Sequence, residues 1–332
     1  PGADEATDLA PAVPEYRTPK SETRTPSSGP RIPEPGTRTP EPGTRTPEPG
    51  PRTPDPEARR SAIATDVPIP RPPFWGSRVF DRIPLADALA YLNEVMLFQV
   101  HWGFKKKGRP AEEFAKYLDQ HVRPIYRNLL AQCEREGLLQ PRAIYGYWPC
   151  NSEGDSLIVY DAAEQDREIV RFTFPRQGKP PYWCLSDFFR PIESGEKDVV
   201  AFSIVTVGQQ ASDTAREWFK QDRYTDYLYL HGLSVETAEA LAEYIHKRVR
   251  VELGIAGKDA GDIQSLFKQG YQGSRYSFGY AACPRLEDQQ LLWPLLEPER
   301  IGVTLTEEFQ LVPEQSTSAM ICHHPAARYF KA

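Results

Sequence analysis

Residues 31 to 57 repeat a seven-residue unit, Arg31-Ile32-Pro33-Glu34-Pro35-Gly36-Thr37 and its successors from Arg38, Arg45 and Arg52, and each unit carries at least two prolines. Proline lacks a backbone donor and fixes φ, so two in every seven exclude helix and sheet ladder alike. More than half of the chain's 33 prolines lie before residue 74. Such a segment buries too little apolar surface to offset its ordering entropy. We therefore expect residues 1–67 to form a disordered, proline-rich interdomain linker. A proline-motif ligand for a recognition domain is the alternative role. Residues 68–332 remain as one folded domain, ample for a buried core.

With Lys+Arg 40 against Asp+Glu 46, the formal charge of −6 gives no electrostatic case for nucleic acid or an anionic membrane as partner. No apolar run reaches the ~18 residues that a spanning helix needs. Cys133, Cys150, Cys184, Cys283 and Cys322 are odd in number and contain no C-x-x-C pair. A disulfide framework or zinc site is not indicated, and with no signal peptide the reading is a reducing cytoplasm. The chain begins at Pro1 rather than methionine. It reads as a piece of a larger polypeptide.

Helical patterns cover Leu85 to Trp102 and Ala111 to Glu136. β-branched and aromatic runs follow at Ala143 to Trp148, Leu157 to Tyr160, Glu168 to Phe174 and Val199 to Val207, separated by polar turns as in an antiparallel meander. Two more helices are expected, Ala211 to His231 and Val235 to Leu253, with Gly232 between them as a C-cap. Val303 to Thr306 and Ala319 to His323 are further strand candidates. Without an alternating βαβ series or a G-x-G-x-x-G after a strand, the fold class is α+β: a single domain with a mainly antiparallel twisted sheet flanked by helices, not a Rossmann fold.

Arg275-Tyr276-Ser277-Phe278-Gly279-Tyr280-Ala281-Ala282-Cys283-Pro284 joins a fixed cation, a glycine between aromatics and a thiol. The guanidinium presents a planar fork suited to a carboxylate. Gly279 lets backbone approach a ligand, and Tyr280 supplies a flat apolar face. The same residues would also suit an aromatic turn packed on the domain's own core. Cys283 has no histidine or base in recognisable relation to it and reads as a small buried thiol. His323 and His324 are adjacent, point to opposite faces of an extended segment, and read as two separate surface histidines rather than a metal pair.

Tyr271-Gln272-Gly273 followed by Arg275-x-x-x-Gly279-Tyr280-x-Ala282-Cys283-Pro284 resembles the signature of the C-terminal activation domain of cobalamin-dependent methionine synthase. Other landmarks stand in that family's order: Arg142-Ala143-Ile144-Tyr145-Gly146, Trp148-Pro149-Cys150-Asn151, Tyr182-Trp183-Cys184-Leu185-Ser186-Asp187-Phe188, Ala242-Glu243-Tyr244-Ile245-His246 and Gly302-Val303-Thr304-Leu305-Thr306-Glu307. The resemblance covers residues 68–332. The family usually has proline at Ala281. It implies a domain that binds S-adenosylmethionine and presents the methyl group to cob(II)alamin, so that reductive methylation restores the cofactor for methionine synthesis.

The implied ligand set is Arg275 for the carboxylate, Gly279 and Tyr280 on the loop, Glu239 and Glu94 as acids, and Tyr329 with Phe330 closing over the adenosine. The family usually has a second tyrosine at Phe330. Glu239 lies four residues before Glu243, so the two share a helix face; alone, it reads as a solvated helix glutamate. Tyr329 and Phe330 alone read as surface aromatics at a frayed end. Asp119-Gln120-His121 resembles the start of a cobalamin-ligating sequence, but Pro124 stands in the glycine's place, so no corrinoid ligand is assigned. No catalytic or metal-binding residue is expected here. The resemblance puts cobalamin on an upstream domain of the same polypeptide, zinc elsewhere in the parent enzyme, and flavodoxin or a similar reductase as electron donor. A non-catalytic protein-interaction module and a stand-alone reactivator of another corrinoid methyltransferase are the competing readings.

Overall fold

The computed structural model describes residues 61–332. The heptapeptide repeats lie outside the described residues. The described part of the expected linker already touches the fold: Ile63 packs against the core, and the carbonyls of Ala64 and Val67 accept from His324 Nε2 (2.9 Å) and Arg190 Nη2 (2.8 Å).

In chain order the main elements are β1 (Gly76–Phe80), α1 (Leu85–Leu89), a π-helical turn (Met96–His101), α2 (Ala111–Tyr117), a second π turn (Leu118–Val122) and α3 (Arg123–Glu136). They continue with β2 (Arg142–Glu153), β3 (Ser156–Tyr160), β4 (Glu168–Thr173), β5 (Asp198–Thr206), α4 (Gln209–Lys220), α5 (Tyr224–Glu252), β6 (Ser274–Ser277), β7 (Thr304–Leu305), β8 (Leu311–Val312) and β9 (Ser316–Cys322). The main sheet runs β4-β3-β2-β5-β9-β6, with β1 also on β2, and every pairing is antiparallel. β7 and β8 form a separate two-stranded ribbon.

The expected strands are found in place, and the architecture is the α+β one read from the sequence. The helices differ in three ways. The pattern from Leu85 to Trp102 holds a short α-helix and a π turn, with Asn93 Oδ1 accepting from the amides of Val95 and Met96 at the restart. The second segment bulges at Leu118–Val122 just before Pro124, whose missing N–H cannot continue an α-helical ladder. Gly232, expected as a C-cap, instead lies inside the 29-residue α5. A Cβ there would meet His101 Cβ at 2.8 Å and Trp102 at 3.1 Å. The glycine admits a neighbouring indole, and the helix break falls at residues 221–223 instead.

The sheet is covered on both faces. Leu241, Ala242, Ile245 and Val249 of α5 pack on Ala143, Tyr145, Ala201, Val205 and Ile321. The opposite face buries Ile144, Trp148, Phe172, Phe202 and Met320 beneath Leu185, Phe188 and the C-terminal segment. Leu230, Leu233 and Ala238 of α5 belong instead to a helical cluster with Phe98, Trp102, Leu129 and Trp218. One helix thus serves the helical layer with its first half and the sheet with its second.

Candidate ligand-binding cleft

β6 is the outermost strand beyond β9, and its side chains alternate between faces. Arg275 stands opposite Ile321, which packs on the α5 side, whereas Tyr276 turns into the other core and donates from its hydroxyl to Arg328 O (2.9 Å). Arg275 therefore meets the helix, and its Nη2 lies 3.3 Å from Glu239 Oε2. The Arg275 side chain is only 17% exposed, that of Glu239 43%. Arg275 Nη1 is buried without any hydrogen-bond partner.

Beyond β6 the chain closes a tight turn, with Gly279 N donating to Cys283 O and Cys283 N to Tyr280 O, both at 2.9 Å. Gly279 sits at φ +86°, and a Cβ would fall 2.7 Å from Leu286 Cδ2. The glycine is required by the turn and by Leu286, before any ligand is considered. The turn carries Tyr280 outward, 57% exposed, opposite Tyr329 at 51%. Glu239, Arg275, Tyr276, Ser277, Tyr280, Ala282, Cys283 and Tyr329 together line a cleft of about 200 Å³. A wider groove of about 430 Å³ adjoins it, sharing Glu239 and Tyr280 and running past Gln209, Arg216, Gln310 and Glu314. Cys283 Sγ lies 3.0 Å from Ser277 O, and burial pushes the thiol up to about 12, so it is inert at neutral pH.

The structure does not bring every expected residue here. Glu94 is gripped through both oxygens by Arg123, Nη2 to Oε2 at 2.8 Å and Nη1 to Oε1, on the helical layer, and does not line the cleft. Phe330 is 6% exposed and wedged among Trp183, Phe188 and Tyr276. Consecutive residues of an extended tail face opposite ways, so Tyr329 reaches the cleft while Phe330, without a hydroxyl to satisfy, anchors the tail in the core. His323 and His324 are buried rather than surface residues: His323 Nε2 lies 2.7 Å from Asp198 Oδ1, and His324 packs on Phe188. Asp119 pairs with Arg123 within the helical layer.

Behind the cleft lies a polar cluster that the sequence reading touched only through the landmarks containing Glu243, His246 and Tyr271, without assigning it a role. Glu239, Glu243, His246 and Arg250 recur at intervals of four, three and four along α5, the spacing of one helix face. That polar stripe on a helix otherwise built to be buried was the available signal. Glu243 Oε1 lies 3.4 Å from Arg250 Nη1 and its Oε2 3.6 Å from His246 Nδ1. Arg250 Nε reaches Asp259 Oδ2 (3.1 Å), which also takes Lys247 Nζ (2.8 Å). Tyr271 packs edge-on to His246 (5.0 Å) and under Arg250 (4.1 Å). Burial holds His246 down to about 4, hence neutral. Burial works against the Glu243 carboxylate too, but its contact with His246 and the cations of Arg275 and Arg250 outweigh this, and its pKa lies below the ordinary value.

Among the described residues no helix is long and apolar enough to cross a membrane. Residues 84–332 match the family model "Vitamin B12 dependent methionine synthase, activation domain". The chain is 43% identical over 284 residues to the methionine synthases of Mycobacterium tuberculosis and Mycobacterium leprae, covering 82% of this chain and 24% of each of those proteins. It thus spans about a quarter of the length of the curated relatives it matches. The crystal structure of a MetH reactivation domain bound to AdoHcy superposes with a TM-score of 0.73 at 26% identity, over 83% of this chain and 87% of that one. The chain belongs to the activation-domain family of vitamin B12 dependent methionine synthases.

Proposed function

We propose that this chain is the reactivation domain of a cobalamin-dependent methionine synthase, and that the Arg275 cleft holds S-adenosylmethionine and presents its methyl group to cob(II)alamin on another domain of the same polypeptide. The observation that carries this reading is the cleft itself: Arg275, whose buried Nη1 has no hydrogen-bond partner in the protein, lines it beside Glu239 and the half-exposed Tyr280 and Tyr329. A ligand carboxylate completes the fork that Glu239 occupies on one side only. Glu239 then faces the ammonium and sulfonium, and the half-exposed rings of Tyr280 and Tyr329 flank the adenosine. AdoHcy in the structural relative is what such a ligand becomes once its methyl is gone.

Bound S-adenosylmethionine supplies an electrophilic methyl group for in-line transfer to reduced cobalamin, after flavodoxin or a similar reductase has provided one electron. The chain's own contribution is positioning: Arg275 fixes one end of the ligand and the tyrosines the other, so the methyl faces outward without any protein acid or base. The open groove beside the cleft suits the approach of a second domain. The five cysteines are buried and unpaired, which supports a cytoplasmic setting.

Titration calorimetry of the chain with S-adenosylmethionine tests this. We expect saturable binding that Arg275→Ala weakens by about 1.5–3 kcal/mol, the range for a hydrogen bond to a charged group. Absence of binding to the folded wild type overturns the proposal.

A further inference from the structure

Glu243 is a buried carboxylate next to a site whose proposed ligand changes charge when it reacts. At neutral pH S-adenosylmethionine, with a carboxylate, an ammonium and a sulfonium, carries one net positive charge, and S-adenosylhomocysteine carries none. Glu239 and Arg275, which line the cleft, and Glu243 behind them sum to one negative charge. One layer further in, Arg250 and Asp259 offset each other, and Lys247 reaches Asp259 from a partly exposed position. Glu239 is half in water, which screens it. Glu243, one helical turn away with its side chain 11% exposed, is not screened in this way, so its field reaches into the cleft through protein.

The cluster around Glu243 is poorly arranged for stability alone. Both ring nitrogens of His246, Arg250 Nη2 and Asp259 Oδ1 are buried without a hydrogen-bond partner. An ionised carboxylate set among such groups costs desolvation energy that a neutral or apolar residue would avoid. A neutral His246 matters equally, because an imidazolium there would cancel the Glu243 charge.

Building on the function proposed above, we propose that Glu243 is a specificity-determining residue: its buried negative charge makes the cleft prefer the cationic methyl donor to the neutral product, so that transfer of the methyl group itself loosens the ligand. Glu243 touches neither ligand. It acts through the field at the cleft and through the setting of Arg275, whose charge in turn acts on it.

The test is calorimetric titration of the full chain with S-adenosylmethionine and with S-adenosylhomocysteine at one ionic strength, for wild type, Glu243→Gln and Glu243→Asp. Glu243→Gln should compress the ratio of the two affinities about 3- to 10-fold, the effect of one charge acting through a medium between protein and water. The affinity for S-adenosylhomocysteine should move less than about twofold, and Glu243→Asp, which keeps the charge, should keep the ratio. If Glu243→Gln does not fold because it strands Arg250, the double Glu243→Gln/Arg250→Gln variant removes the pair together and should show the same compression, somewhat smaller. An unchanged ratio, or an equal loss for both ligands, overturns the role of Glu243 while leaving the cleft's function standing. Failure of the folded wild type to bind either ligand overturns both.

Discussion

Two carboxylate–histidine pairs are buried in this domain, and they are built to opposite standards. Asp198 accepts from His323 Nε2 (2.7 Å), Val199 N (2.7 Å) and Arg190 N (2.8 Å), while His323 O accepts from Gln272 Nε2 (3.1 Å). Around Glu243 and His246 the contacts stretch to 3.4 and 3.6 Å, and four buried polar atoms have no partner. The first pair fastens the end of β9 to the start of β5, where every lost bond strands a buried group. The second lies behind the Arg275 cleft. Full satisfaction fits a structural clamp, and the imperfectly satisfied groups are the ones proposed above to act through their charge.

The contrast can be broken most sharply at Asp198. Asp198→Ala leaves two amides and an imidazole unpaired and should cost about 3–5 kcal/mol in urea unfolding, with ligand affinity unchanged in whatever remains folded. A cost near zero would remove the distinction.

Acid sharpens the other side. His246 binds its proton at about 4 in the folded chain but near its ordinary value when unfolded. The unfolded state therefore holds more protons between these values, and stability falls as pH drops from about 6.5 to 4. Between pH 7 and pH 4, His246→Asn should lose about 2–3 kcal/mol less than wild type, measured by denaturant midpoints at each pH. Parallel curves would count against a neutral His246.

The smallest effect belongs to Gln272→Ala, which deletes one donor at the rim of the satisfied pair. It should cost about 1 kcal/mol and leave both ligand affinities alone.

The sheet was largely legible because β2 to β5 carry β-branched and aromatic residues at strand length. β1 was not, since Gly-Ser-Arg-Val-Phe at residues 76–80 opens on glycine, serine and arginine and is too polar to stand out. Gly232 misled because glycine serves both helix ends and close packing, and only the folded position of Trp102 decides between them. At the site, Arg275, Glu239 and Tyr280 were readable from their spacing and their likeness to a family, and the structure brings them together with Tyr329. Glu94 was not, because the residue that claims it, Arg123, is 29 positions away. Phe330 was misplaced because alternation tells that it and Tyr329 face opposite ways but not which way is inward, and the two histidines because both faces of their segment are covered.

α5 changes allegiance along its length, from the helical cluster to the sheet, and Glu239 and Glu243 sit on the part that crosses over. Arg275, their counterpart, belongs to the outermost strand. The width of the cleft is therefore fixed by the registry of a long rod against the rim of a sheet. Any change in that registry would alter the 3.3 Å approach of Arg275 Nη2 to Glu239 Oε2 and with it the span of the cleft.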